Sequence, residues 1–194
     1  ELVANLAAKI LGIYFDLNTR VYWDEIEIMF QKIRQYSDEK DSPQNKGWIH
    51  TDRTASFAGV VYLTPDINLE TGTSIYKLKD IHKNYNANGG QEEKLNLYKD
   101  GIYNKKEYDK QILDLHDKFE LVTDVKNVYN RLIIYDSNQY HSASSYYSEG
   151  KDRLSLIFFF ANVRGKLLPH GKITKFDNEI EGIINENTIS QSKG

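Results

Sequence analysis

The chain contains no cysteine, which excludes disulfide cross-links and thiolate-bound metals alike. Any metal must therefore be held by His, Asp, Glu or backbone oxygen. There is no basic excess either: the net charge of −3 argues against a duplex-binding surface, so nucleic acid is an unfavoured partner. No apolar run approaches the ~18 residues a membrane span requires. The greasiest segment, Ile157-Phe158-Phe159-Phe160-Ala161, has the length of a buried strand. Internal repeats and low-complexity blocks are absent. The start, Glu1-Leu2-Val3-Ala4-Asn5, has neither an initiator Met nor a signal-peptide pattern and reads as that of a trimmed chain or a fragment. A cytoplasmic location, in a microbe or in an infected host cell, is the default expectation.

What is present is the composition of an ordered protein, with 40% apolar and 27% charged residues. A length of 194 residues suits one well-buried core, hence a single domain over 1–194. Fourteen tyrosines accompany many Asn, Lys and Ile, a mixture that A/T-rich coding favours.

Along the chain, apolar positions 3, 6, 7, 10, 11 and 14 have helical spacing. Asp24 to Tyr36 repeats it through Ile26, Met29, Phe30 and Ile33, with Asp24 as N-cap. Residues 1–46 are thus expected to be supporting helices and a polar loop around Pro43. From Gly47 the texture turns to short strands: Trp48 to Asp52, Phe57 to Leu63, Gly72 to Tyr76, Leu121 to Val125, Asn130 to Tyr135 and Arg153 to Asn162. Pro65 ends the second of these. Residues 79–120 read as an insert, a lid or a solvated decoration, with a helix from Lys105 to Phe119 and a loop over Asn86 to Gly90. Residues 163–194 read as a peripheral tail. The expected class is mainly β with supporting helices (α+β), a double-stranded β-helix or jelly roll with core segments 47–78 and 121–162.

Three side chains carry the chemistry. In His50-Thr51-Asp52 the i, i+2 spacing aims an imidazole and a carboxylate to one face of a strand. His141, on another segment, completes two imidazoles and a carboxylate, a set that holds Fe(II) on one face and leaves the other open. Twelve residues further, Arg153-Leu154-Ser155 repeats the i, i+2 logic. The guanidinium suits a carboxylate through two parallel bonds, with the Ser hydroxyl adding a third. An Arg among Leu, Ile and Phe needs an anion, from the protein or from a ligand. His82, His116 and His170 read as exposed or half-buried surface residues. The Lys77-Leu78-Lys79 cluster reads as a solvated face, Trp48 as a core residue, and Tyr146-Tyr147 as β-edge tyrosines ahead of rim residues of a substrate mouth.

The order Trp48-Ile49-His50-Thr51-Asp52, Gly59-Val60-Val61-Tyr62-Leu63, Thr71-Gly72-Thr73, Asn130 to Tyr135, His141 and Arg153-Leu154-Ser155 resembles the Fe(II)/2-oxoglutarate-dependent oxygenases. Within them it looks most like the prolyl-4-hydroxylase-like branch and its small microbial and phage relatives, over roughly 47–162. The resemblance implies His50, Asp52 and His141 as iron ligands. It also implies Arg153, Ser155 and Tyr62 as 2-oxoglutarate contacts, with O₂ as cosubstrate. Prolyl hydroxylases carry Lys at the basic position, so Arg153 points to the wider superfamily, and Thr71-Gly72 stands where paired glycines are common.

The implied activity is that of an oxidoreductase, a dioxygenase that couples oxidative decarboxylation of 2-oxoglutarate to hydroxylation of a C–H bond. A peptidyl proline or other protein side chain is the first expected substrate and a free small molecule the second. The extra Arg of nucleic-acid demethylases is lacking, since Arg164 lies eleven residues past Arg153. From another class, a non-catalytic jelly-roll binding or structural module carries the same fold.

Overall fold

In the computed structural model, residues 5–6, 9–11, 23–52, 55–80 and 105–163 are described. The chain divides into two units, Asp24–Asn162 and a second made of Glu1–Trp23 with Val163–Gly194. In the second unit, 5–6 and 9–11 are helical and Ile10 and Leu11 are buried, in keeping with the expected first helix. The rest of that helix, the Asn86–Gly90 loop, His82, His170 and nearly all of the tail lie outside the described residues.

The Asp24–Asn162 unit is mainly β. Its strands are β1 (Glu25–Ile33), β2 (Phe57–Tyr62), β3 (Thr73–Leu78), β4 (Phe119–Val125), β5 (Leu132–Asp136), β6 (Tyr140–Ala143) and β7 (Arg153–Ala161). Among the described residues, helix α1 (Lys105–Asp117) precedes β4. The strands form a four-stranded sheet in the order β1-β7-β2-β5 and a three-stranded sheet in the order β4-β3-β6, antiparallel throughout. A bridge from His50 to His141 adds a further segment beside β6.

The expected helix over Asp24 to Tyr36 is instead β1. The helical reading skipped Ile28, whereas Glu25-Ile26-Glu27-Ile28 alternates with period two, half-buried Ile against exposed Glu. Register against β7, from Glu25↔Ala161 to Ile33↔Arg153, supplies a full ladder that local helical spacing cannot match. Asp24 is not an N-cap: its N–H donates to the Ala161 carbonyl (3.1 Å) and its carboxylate accepts from Asn162 (2.7 Å). The β region therefore begins well before residue 47. The Trp48–Asp52 strand is shorter than expected, paired only at His50.

The described part of the 79–120 insert is not a solvated decoration. Helix α1 buries Tyr108, Ile112 and Leu115, spaced at i, i+4 and i+7, against Trp48, Ile49, Tyr76 and Phe119. Each of these large side chains contributes on the order of 1.5–3 kcal/mol by leaving water. Phe119 is already the first residue of β4. Trp48 is a core residue, its ring centroid 6.1 Å from that of Tyr108.

The loop leading to His50 is ordered by one buried amide. Asn45 donates to the carbonyls of Ser37 and Glu39 (2.9 Å each) and accepts from the Tyr36 and Ser37 N–H groups (3.1 and 3.2 Å). Its own carbonyl takes the Tyr146 N–H (2.7 Å). Two residues on, Gly47 passes so close to β6 that a Cβ there would fall on the Ala143 backbone. Lys77 and Lys79 form exposed ion pairs with Glu120 and Asp117, each at 3.2 Å, as a solvated face should.

Candidate metal centre

His50 and His141 exchange backbone hydrogen bonds of 3.0 Å in both directions, and the Asp52 N–H donates to the Ser137 carbonyl (2.7 Å). Pairing in that register gathers the three side chains that the sequence placed 91 residues apart (50 to 141). One donor atom from each of His50, Asp52 and His141 lies within 4.8 Å of the other two. Asp52 Oδ1 is 3.6 Å from His50 Nε2, and Oδ2 is 3.2 Å from His141 Nε2. The imidazole centroids are 4.4 Å apart.

The protonation pattern follows from the other ring nitrogens. His50 Nδ1 lies 2.8 Å from the Trp48 carbonyl, and His141 Nδ1 lies 2.9 Å from the Gln139 carbonyl. A carbonyl only accepts, so each Nδ1 carries a proton, and in the neutral ring Nε2 would present a lone pair on the Asp52 side. Such a backbone bond is how metal-binding histidines are commonly oriented. It also explains why buried Asp52 Oδ2 has no hydrogen-bond donor although His141 Nε2 is near. A purely ionic cluster fits less well: a single carboxylate would have to offset two imidazolium rings 4.4 Å apart. Two lone pairs and a carboxylate aimed inward suit a divalent cation.

Next to this cluster, β7 carries Arg153 and Ser155, 5% and 0% exposed. Arg153 Nε and Ser155 Oγ are buried without a hydrogen-bond partner, and no carboxylate pairs with Arg153 among the described residues. The guanidinium instead lies over the Tyr62 ring, 5.6 Å from its centroid. Burial pulls the Arg153 pKa below its ordinary value, against the opposing effect of the Tyr62, Tyr146 and Tyr135 phenols. Tyr62 pairs with Ser155 across the sheet and donates its hydroxyl to Thr73 Oγ1 (2.8 Å), tying the two sheets together. Burial raises the Tyr62 pKa despite that bond. The six residues singled out in the sequence thus fall into two groups, His50, Asp52 and His141 in one and Arg153, Ser155 and Tyr62 in the other.

Two features of the site escaped the sequence reading. Tyr135, on β5, packs its ring 4.4 Å from that of His141, and burial, with the Asp52 charge adding, pushes its phenol far above the ordinary range. The alternation of Ile133 and Tyr135 was the available signal. Strand β6 itself was missed because Tyr140-His141-Ser142-Ala143 is short and polar. Tyr146 is no β-edge residue: it lies in the loop before β7, buried, its ring edge-on to Tyr36 (5.0 Å). His116 is half-buried and bonds the Gly47 carbonyl through Nε2 (2.8 Å).

A two-sheet β protein with a candidate mononuclear metal centre and an unpaired buried arginine beside it is the class that fold and site define. The chain belongs to the family described as "Family of unknown function (DUF6445)", whose model matches residues 15–150. The match takes in His50, Asp52, Tyr62, Tyr135 and His141 and ends before Arg153. No curated protein matches the chain significantly. Among the described residues, no helix is long and apolar enough to cross a membrane.

Proposed function

We propose that the protein is a non-haem Fe(II) dioxygenase that uses 2-oxoglutarate and O₂ to hydroxylate a substrate C–H bond. The carrying observation is that one two-sheet unit holds both a cluster ready for a cation and a buried arginine with no carboxylate partner among the described residues. His50, Asp52 and His141 bring their donor atoms within 4.8 Å of one another, and Arg153 Nε and Ser155 Oγ have no hydrogen-bond partner. A metal-chelating dicarboxylate answers both. The strand order supports the same reading. The chain alternates between sheets as β1, the His50 segment, β2, β3-β4, β5, β6 and β7, which is how a jelly roll winds.

In this scheme His50, Asp52 and His141 hold Fe(II), whose part is to bind and activate O₂ against the oxo-acid. Arg153 and Ser155 take the distal carboxylate and fix the cosubstrate's direction. Tyr62 supports the guanidinium with its ring, and the apolar neighbours Val60 and Ile157 keep water from the space between. The substrate proposed first is a peptidyl proline or another protein side chain, with a free small molecule second. The protein is treated as acting in the cytoplasm.

Anaerobic addition of Fe(II) and then 2-oxoglutarate is expected to give the weak visible charge-transfer absorption of the chelate, and His141→Ala to abolish it. A wild-type protein that binds neither would leave a non-catalytic binding module as the better reading. Succinate release over peptide, amino-acid and nucleoside panels then names the substrate class.

A further inference from the structure

Tyr135 faces the site yet does nothing in it so far. It pairs with Ala58, on the same sheet face as Tyr62. The ring is braced against His141 at 4.4 Å, tilted by 46°. The residue is half-buried. Its hydroxyl makes no hydrogen bond to any described residue, unlike that of Tyr62. The Asp52 carboxylate and the Arg153 guanidinium act on the Tyr135 phenol in opposite senses.

We infer that the Tyr135 hydroxyl is a ligand-binding hydrogen-bond donor, holding the metal-side end of the bound oxo-acid. The inference rests on the oxo-acid reading of the site. Its physical logic is charge balance. The distal carboxylate of such a ligand meets Arg153, but the end beside the metal lies close to Asp52, where two carboxylates repel. A neutral O–H donor offsets part of that repulsion without adding a cation that would compete with the metal. The brace against His141 keeps the donor in place.

The test uses Mn(II)-loaded protein, wild type and Tyr135→Phe, titrated with 2-oxoglutarate and with pyruvate, which lacks the distal carboxylate. Phe keeps the ring against His141, and an unchanged thermal midpoint verifies the fold. Tyr135→Phe is expected to bind both anions about tenfold more weakly or worse, with Mn(II) affinity within about twofold. The charge-transfer band of the Fe(II)–2-oxoglutarate complex should also shift, because a bond to a chelating oxygen is lost. Unchanged anion affinity overturns the inference. So does a loss confined to 2-oxoglutarate, which puts the hydroxyl at the distal end, or an equal loss of Mn(II), which makes Tyr135 a mere support for His141. If wild type binds Mn(II) but neither anion, the oxo-acid reading fails and this inference with it.

Discussion

His50 and His141 face each other as one antiparallel pair, each donating its N–H to the other's carbonyl at 3.0 Å. Their separation is therefore set by backbone pairing, and anything that moves residues 47–50 off β6 must open the cluster.

Gly47 is the closest point of that approach, with the Ala143 backbone where a Cβ would go. Gly47→Ala should destabilise the fold by about 1–3 kcal/mol through overpacking against atoms that cannot rotate away. It should also weaken divalent-metal binding, although Gly47 is no ligand. Thermal unfolding and a Mn(II) titration check both, and a variant with wild-type metal affinity would show that the His50–His141 spacing does not depend on this contact.

Arg153 is buried without a counter-ion, so removing it should trade binding for stability. Arg153→Met is expected to stabilise the ligand-free protein by about 1–4 kcal/mol, while 2-oxoglutarate affinity falls steeply and metal affinity stays. Denaturant unfolding with and without 2-oxoglutarate measures the trade. A loss of metal affinity equal to the loss of oxo-acid affinity would make Arg153 structural.

His116 has its pKa lowered, by burial first, with the bond to Gly47 opposing and Lys46 adding to the depression. Its neutral ring is the form the fold prefers. Above the unfolded imidazole value, near 6.5, that preference has no effect on stability; as pH falls below it the unfolded chain takes up the proton first and stability declines toward the folded pKa. His116→Gln should flatten this part of the stability–pH curve. An unaltered slope would assign it to other groups.

Asp124 accepts from Ser74 (2.9 Å) and Ser144 and pairs with Lys126 (2.7 Å), which also meets Glu70 (2.6 Å). Burial works to raise its pKa, but the bonds from Lys126, Ser144 and Ser74 outweigh it and the net shift is downward. Its contribution is present above the unfolded carboxylate value and lost as pH falls through the folded one. Asp124→Ala should cost about 1–3 kcal/mol near neutral pH, chiefly because the Ser74–Ser144 pair, itself bonded at 2.8 Å, loses its carboxylate acceptor. The difference from wild type should shrink on acidification, which urea unfolding at several pH values would follow.

Legibility differed from element to element, for physical reasons. Helix α1 was readable because Tyr108, Ile112 and Leu115 repeat at the helical period and bury as a stripe. Strands β2 and β7 were readable from β-branched and aromatic runs. Strand β1 was not, because Ile26, Met29, Phe30 and Ile33 satisfy a helical template while the partner that makes them a strand, β7, lies more than a hundred residues away.

For the site, residue type and the i, i+2 rule singled out His50 with Asp52 and Arg153 with Ser155, since side-chain direction along an extended segment is a local property. By itself the sequence determined the ligand chemistry on offer: oxygen and nitrogen donors only, no thiolate, and a buried cation in want of an anion. Only the tertiary structure decided that His141 faces Asp52 and that the Tyr135 ring packs against His141. Which strands pair is a contest among distant segments, settled by register and burial that no local pattern encodes.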